Sequence, residues 1–112
     1  METIDCTLIQ RITDEKGMLK MISNRGTMDV LCTFCCSQKK VRFNELAKLC
    51  NHISTKTLAS RLKELEKEKI LTRTAYNEIP PRVEYSMTPK GQNLIDALLP
   101  LIQWIANAKE KV

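Results

Sequence analysis

The stretch STKTLASRLKELEKEKILTRTAYNEIPPRVEYSMTP, Ser54 to Pro89, decides the fold. Ser54 is a natural N-cap, because its hydroxyl can take up an orphan amide of the first helical turn. The helix it opens sets Leu58, Leu62 and Leu65 at i, i+4 and i+7, which makes one narrow apolar stripe. At about 100° per residue the opposite face carries Lys56, Ser60, Lys63 and Lys67, while Glu64, Glu66 and Glu68 fall on the flanks. Long cations and small hydroxyls are the groups that reach phosphate oxygens and base edges in a major groove. Read alone, the same helix also fits a solvated amphipathic helix whose lysines form i, i+4 pairs.

The segment after this helix separates the two readings. Leu71 to Tyr76 reads as a strand, Asn77 to Pro81 as a loop, and Arg82 to Met87 as a second strand with Val83, Tyr85 and Met87 on one face. Pro80 and Pro81 supply no ladder donors, so they belong at the tip or an edge, with Arg82 held stiffly beside them. Upstream, Asn44 is a natural N-cap for a helix carrying Leu46, Leu49 and Cys50, and Asn51 to Ile53 makes a tight connection to Ser54. A short helix, a turn, a basic-faced helix and a hairpin form the order of a winged helix-turn-helix.

Further out, Glu15 to Ile22 predicts a short helix through Met18, Leu19, Met21 and Ile22, followed by turn chemistry at Ser23-Asn24-Arg25-Gly26. Thr27 can cap a second helix, in which Met28, Leu31, Phe34 and Cys35 recur until Ser37-Gln38-Lys39-Lys40 ends it. Val41-Arg42-Phe43 is brief and β-leaning. At the other end, Thr88 and Pro89 start a helix expected to run to about Lys109. Leu94, Leu98, Leu101 and Ile105 form its central stripe; Ile95, Ile102, Leu99 and Trp104 widen it. The apolar arc reaches about 160°, against about 100° for a helix packed on one small core. The surplus predicts a second copy related by a two-fold axis, with Leu94, Leu98, Leu101, Ile102, Trp104 and Ile105 at the interface. A terminal helix fully buried in a monomer is the competing reading. Pro100 removes one helical hydrogen bond and predicts a kink.

The charge agrees with this layout. The chain carries 18 Lys and Arg against 13 Asp and Glu, net +5. Gln38 to Lys90 holds twelve of the positives and six of the negatives, so the whole basic excess lies between the turn and the hairpin. Such a balance favours an anionic partner. With 112 residues and 43% apolar content, the chain fits one domain spanning 1–112 and excludes a large multi-domain enzyme.

Other function classes find little support. Glu2 and Asp5 near the N-terminus do not fit a secretory leader, and Pro100, Gln103 and Asn107 interrupt the greasiest segment, so a cytoplasmic protein with no membrane association is expected. Five cysteines without an export leader belong to a reducing compartment. Cys32, Cys35, Cys50 and His52 draw a four-ligand zinc site on paper, but Cys32 and Cys35 sit in a helical apolar pattern where free cysteine behaves as a small hydrophobe, so no metal is expected. Cys6 and Cys36 are the candidate exposed thiols for a redox switch. His52 is the sole histidine, and Gly17, Gly26 and Gly91 form neither a phosphate loop nor a nucleophile elbow. No catalytic residue and no cofactor are expected.

The run Val41-Arg42-Phe43-Asn44-Glu45-Leu46, then Ile53-Ser54 with Leu58, Arg61, Leu62 and Leu65, then Pro80-Pro81-Arg82-Val83-Glu84-Tyr85-Ser86-Met87-Thr88 with Gly91 and Trp104, resembles the HxlR-type transcriptional regulators over about residues 18 to 105. The resemblance implies a dimeric winged-helix DNA-binding protein of the bacterial and archaeal type. Two departures stand out. The family's usual Gly-Gly-Lys-Trp turn is Ser23-Asn24-Arg25-Gly26 here, without its tryptophan. The Cys-Pro pair found in many members before the first helix falls near Thr13-Asp14, and Cys6 lies about two turns too early.

The expectation is an α+β, mostly α, winged helix-turn-helix with added N- and C-terminal helices forming a dimer. Residues of about 41–88 supply the helix-turn-helix and wing, and 89–109 the dimerisation helix. Lys56, Thr57, Ser60 and Lys63 are expected to meet the major groove of double-stranded DNA, Arg61 and Lys67 the phosphates, and Arg82 the adjacent minor groove or backbone. A homodimer then reads a pseudo-palindromic operator. The alternatives are a winged-helix module that docks protein through its C-terminal face, and a thiol-based regulator answering a redox or small-molecule effector.

Overall fold

The computed structural model describes residues 4–13, 17–36 and 40–110. The expected helix start at Glu15, the expected stop over residues 37–39 and the Cys36 side chain lie outside the described residues. Among the described residues, six helices and three strands run in order: α1 Cys6–Ile12, α2 Met18–Ser23, α3 Thr27–Cys36, β1 Val41–Arg42, α4 Phe43–Leu49, α5 Thr55–Lys67, β2 Leu71–Tyr76, β3 Arg82–Met87 and α6 Pro89–Glu110. The strands form one antiparallel sheet in the order β1-β3-β2. The sheet and helices together make a winged helix-turn-helix, with α4 and α5 as the helix pair and β2-β3 as the wing.

The core explains the order. Leu58, Leu62 and Leu65, the inner stripe of α5, are all but fully buried together with Val30 and Leu31 of α3, Leu46 of α4, Ile70 just before β2 and Leu71 at its start. Each large aliphatic side chain so buried contributes roughly 1.5–3 kcal/mol. β3 pairs with β2 from Leu71↔Met87 to Tyr76↔Arg82 and with β1 through Val41↔Tyr85 and Arg42↔Glu84. The short Val41-Arg42 segment thereby covers one edge of the wing, a pairing its two residues do not announce.

The helix ends follow the sequence in part. Ser54 Oγ accepts from Thr57 N at 3.0 Å, and Thr88 Oγ1 accepts from Gly91 N at 3.0 Å, so both expected caps form. Thr27 does not cap α3. Its buried hydroxyl donates instead to the Met21 carbonyl at 3.0 Å, and the chain enters α3 through Gly26 at φ 93°. Asn44 does not cap α4 either: the cap position belongs to Arg42, whose amide donates to Glu45 Oε1 at 3.4 Å. The helix expected from Glu15 begins at Met18, with Gly17 at its cap. The N-terminal helix α1 is capped by Asp5, which accepts from Leu8 N at 2.8 Å, and buries none of its residues.

Candidate nucleic-acid interface

The outward ridge of α5 is as its periodicity requires. Lys56, Ser60, Lys63 and Lys67 are exposed, and among the described residues none of the three lysines makes an ion pair. Free ammonium groups on long stems are available to an anionic partner without first breaking a contact. Thr57 is half-buried, and its hydroxyl accepts from Ser54 Oγ at 3.0 Å, which tightens the first turn of the helix.

Arg61 and Arg82 are placed differently from the lysines. Arg61 leans inward, with its side chain 19% exposed, and its Nη1 donates to Glu64 at 2.7 and 3.0 Å. Asn24 Nδ2 donates to the same carboxylate at 3.4 Å, so the Arg61-Glu64 pair fastens α5 to the turn before α3. Arg82, read from its proline neighbours as a projecting group, is folded back. Its guanidinium lies 4.0 Å from the centre of the Tyr76 ring and pairs with Glu78 at 3.3 Å and Glu84 at 3.9 Å. Cation and aromatic face brace the hairpin across its tip, where Tyr76 and Arg82 are register partners.

Lys40 also reaches Tyr76, its Nζ donating to the phenolic oxygen at 3.2 Å. The fully exposed Ile79 and Pro80-Pro81 lie in the loop between the two strands. Arg73 is a basic group the sequence reading did not single out. It stands opposite Tyr85 in the sheet, exposed, and its guanidinium makes no ion pair or hydrogen bond with any described residue. The alternation of Leu71, Arg73 and Ala75 along β2 was the available clue: it puts Arg73 on the core-facing side of the sheet but beyond the core.

His52 sits in the turn between α4 and α5 and pairs through Nε2 with Asp29 Oδ1 at 2.8 Å, tying that turn to α3. Cys50 beside it is buried, its Sγ 3.8 Å from Thr33 Oγ1. Burial pushes its thiol above the ordinary value; the Thr33 hydrogen bond works against that shift and the Asp29 carboxylate adds to it. Cys6 is exposed, and Cys32 and Cys35 are half-buried. Among the described residues no three His, Cys, Asp or Glu groups converge as metal ligands.

Of the α6 residues expected at a partner interface, Leu94 and Leu98 pack, with Leu99, against the chain's own core. Ile95 is buried, and Leu94, Leu98 and Ile102 are half-buried. Leu101, Trp104 and Ile105 remain 51%, 68% and 48% exposed. Ile9 and Ile12 of α1 are exposed as well. No helix of the described residues is long and apolar enough to cross a membrane.

Comparison with known proteins places these features in a family. The model of the HxlR-like helix-turn-helix family matches residues 21–112. An uncharacterised helix-turn-helix transcriptional regulator of Halalkalibacterium halodurans is 37% identical over 86 residues, covering 77% of this chain and 75% of its own. The fold also matches a crystal structure of a transcriptional regulator from Enterococcus faecalis V583, described as MarR family, at TM-score 0.74 and 32% identity over 100% of this chain and 97% of that one. The reduced form of the redox regulator HypR superposes at TM-score 0.74 with 31% identity, over 81% of this chain and 88% of its own.

Proposed function

The chain belongs to the HxlR-like helix-turn-helix family of transcriptional regulators, and from that premise we propose that it binds DNA as a homodimer on a pseudo-palindromic operator. The observation that carries the reading is the α5 ridge, where Lys56, Lys63 and Lys67 are exposed and unpaired around Ser60. A helix presenting such groups beside a β-hairpin can lie in the major groove while the wing reaches the neighbouring backbone. Lys56, Thr57, Ser60 and Lys63 meet the groove, and Lys67 meets a phosphate. Arg61 and Arg82 act mainly by holding α5 and the wing in place, since each is already paired with carboxylates. Residues of about 41–88 form the DNA-reading part of a single domain, and 89–109 the part that pairs two copies.

Dimerisation is supported by the exposed Leu101, Trp104 and Ile105 of α6 and by α1. A seven-residue helix that buries none of its residues has little to stabilise it in water, because isolated helices shorter than about 12–15 residues are marginal. A partner copy covering both surfaces supplies the missing burial.

Gel-shift titrations at several salt concentrations test the DNA reading. If about six phosphates are neutralised, log affinity falls with log salt at a slope near −0.9 per phosphate, and Lys56→Ala with Lys63→Ala flattens the slope by about two such contacts. Affinity indifferent both to salt and to these substitutions would sink the proposal. A second reading, a thiol-responsive regulator, is favoured by the exposed Cys6 and by the likeness to HypR, a redox regulator. In that case oxidant alters DNA affinity, and Cys6→Ser removes the response.

A further inference from the structure

A cleft of about 480 Å³ opens between the start of α4 and the wing loop, within the range of small-molecule sites. Arg42, Arg73 and Arg82 line it together with Phe43, Tyr85 and the Pro80-Pro81 segment. The aromatic and proline walls suit a flat apolar body. The charges do not cancel. Glu78 is the one carboxylate among the lining residues and pairs with Arg82 at 3.3 Å, whereas Glu84, which takes Arg42 at 3.7 Å and Arg82 at 3.9 Å, stands on the other face of the sheet. On the Tyr85 face the Arg73 guanidinium has no ion pair or hydrogen bond among the described residues. A planar guanidinium without a partner is suited to bidentate contact with a carboxylate.

We propose that this cleft is an effector site for a small aromatic carboxylate, whose carboxylate group pairs with Arg73 while its ring lies against Phe43 and the prolines. The walls belong to two parts of the fold. Arg42 and Phe43 stand where β1 passes into α4, and Pro80, Pro81 and Arg82 stand on the wing, so an occupant bridges helix pair and wing. It also neutralises a free cation on β2 of the wing, so occupancy weakens DNA binding. That last step rests on the DNA-binding reading; binding of the carboxylate does not.

The test is calorimetric titration of the full chain with benzoate, phenylacetate and cinnamate, with benzyl alcohol as the uncharged control. Saturable binding of at least one carboxylate is expected, with the alcohol much weaker. Arg73→Gln is expected to lose about tenfold or more in carboxylate affinity, about one hydrogen-bonded charge pair, with its melting temperature in the absence of carboxylate unchanged. No saturable binding of any of the three, or equal binding by Arg73→Gln, overturns the site. If Arg73→Gln instead lowers DNA affinity and flattens its salt slope while no carboxylate binds, Arg73 is a phosphate contact and the site is overturned. Where a carboxylate binds through Arg73, gel shifts with it present should show several-fold weaker DNA binding, and unchanged affinity overturns the coupling. A chain that binds benzoate through Arg73 but no DNA refutes the DNA-binding reading and leaves the site standing.

Discussion

Gly91 shows how closely the last helix lies on the wing. A Cβ at this position would run into the Ile70 carbonyl oxygen and stand 2.8 Å from Met87 Cε. The carbonyl cannot retreat, because Thr88 N and Thr88 Oγ1 both donate to it. Gly91→Ala is therefore expected to destabilise the fold by roughly 1–3 kcal/mol, the usual cost of overpacking, read as a fall in the denaturant midpoint with little change in slope. An unchanged midpoint would mean that α6 sits farther from the sheet. Gly91 was legible in the sequence only through the family resemblance, since nothing local to a helix's first turn calls for a glycine. The lysines of α5 were legible from periodicity alone, because free cations on an outer face need no tertiary partner. Arg61 and Arg82 were not. Arg61 leans inward with Glu64 because that carboxylate also takes Asn24 from the turn before α3, and Arg82 folds back onto Tyr76 across the hairpin, arrangements that exist only once distant segments have met.

At the scale of elements, α5 and the hairpin were the most readable parts. The narrow stripe Leu58, Leu62, Leu65 fixes one orientation for its helix, and alternation from Val83 to Met87 fixes one face of its strand. Helix starts were less readable. Thr27 and Asn44 have the right chemistry for caps, but Gly26 brings the chain into α3 at positive φ, and Glu45 satisfies an amide one turn back, at Arg42. Capping preference is worth about 1 kcal/mol, so a tertiary contact easily displaces it. Thr27 shows what replaces it: a buried hydroxyl bonded to Met21 fastens α2 to α3. Helix α1 is not legible in the sequence because its seven residues, although Leu8, Ile9 and Ile12 share a face, are too few to establish a helical period. Its Ile9 and Ile12, exposed in the single chain, take on meaning only beside a partner.

For the whole molecule, the exposed ends of the chain argue for two copies. Trp104, Leu101 and Ile105 leave a broad apolar surface at the end of a molecule measuring 53 × 34 × 25 Å. Replacing Trp104 and Leu101 by Lys and Glu is expected to convert the dimer to monomer in light scattering, and to abolish the concentration dependence of its melting temperature. A variant that stays dimeric would move the interface elsewhere. Monomers should retain the helix-turn-helix core, which is built from α3, α4, α5 and the sheet, while losing most operator affinity because each reads one half-site. The central claim, that a two-fold pair of α5 helices reads DNA, is tested most directly by selecting bound sequences from a random double-stranded library. Enriched inverted repeats are predicted, with half-sites about 10 base pairs apart or a multiple of that, one α5 to each half. No enrichment, or a lone half-site without symmetry, would contradict it.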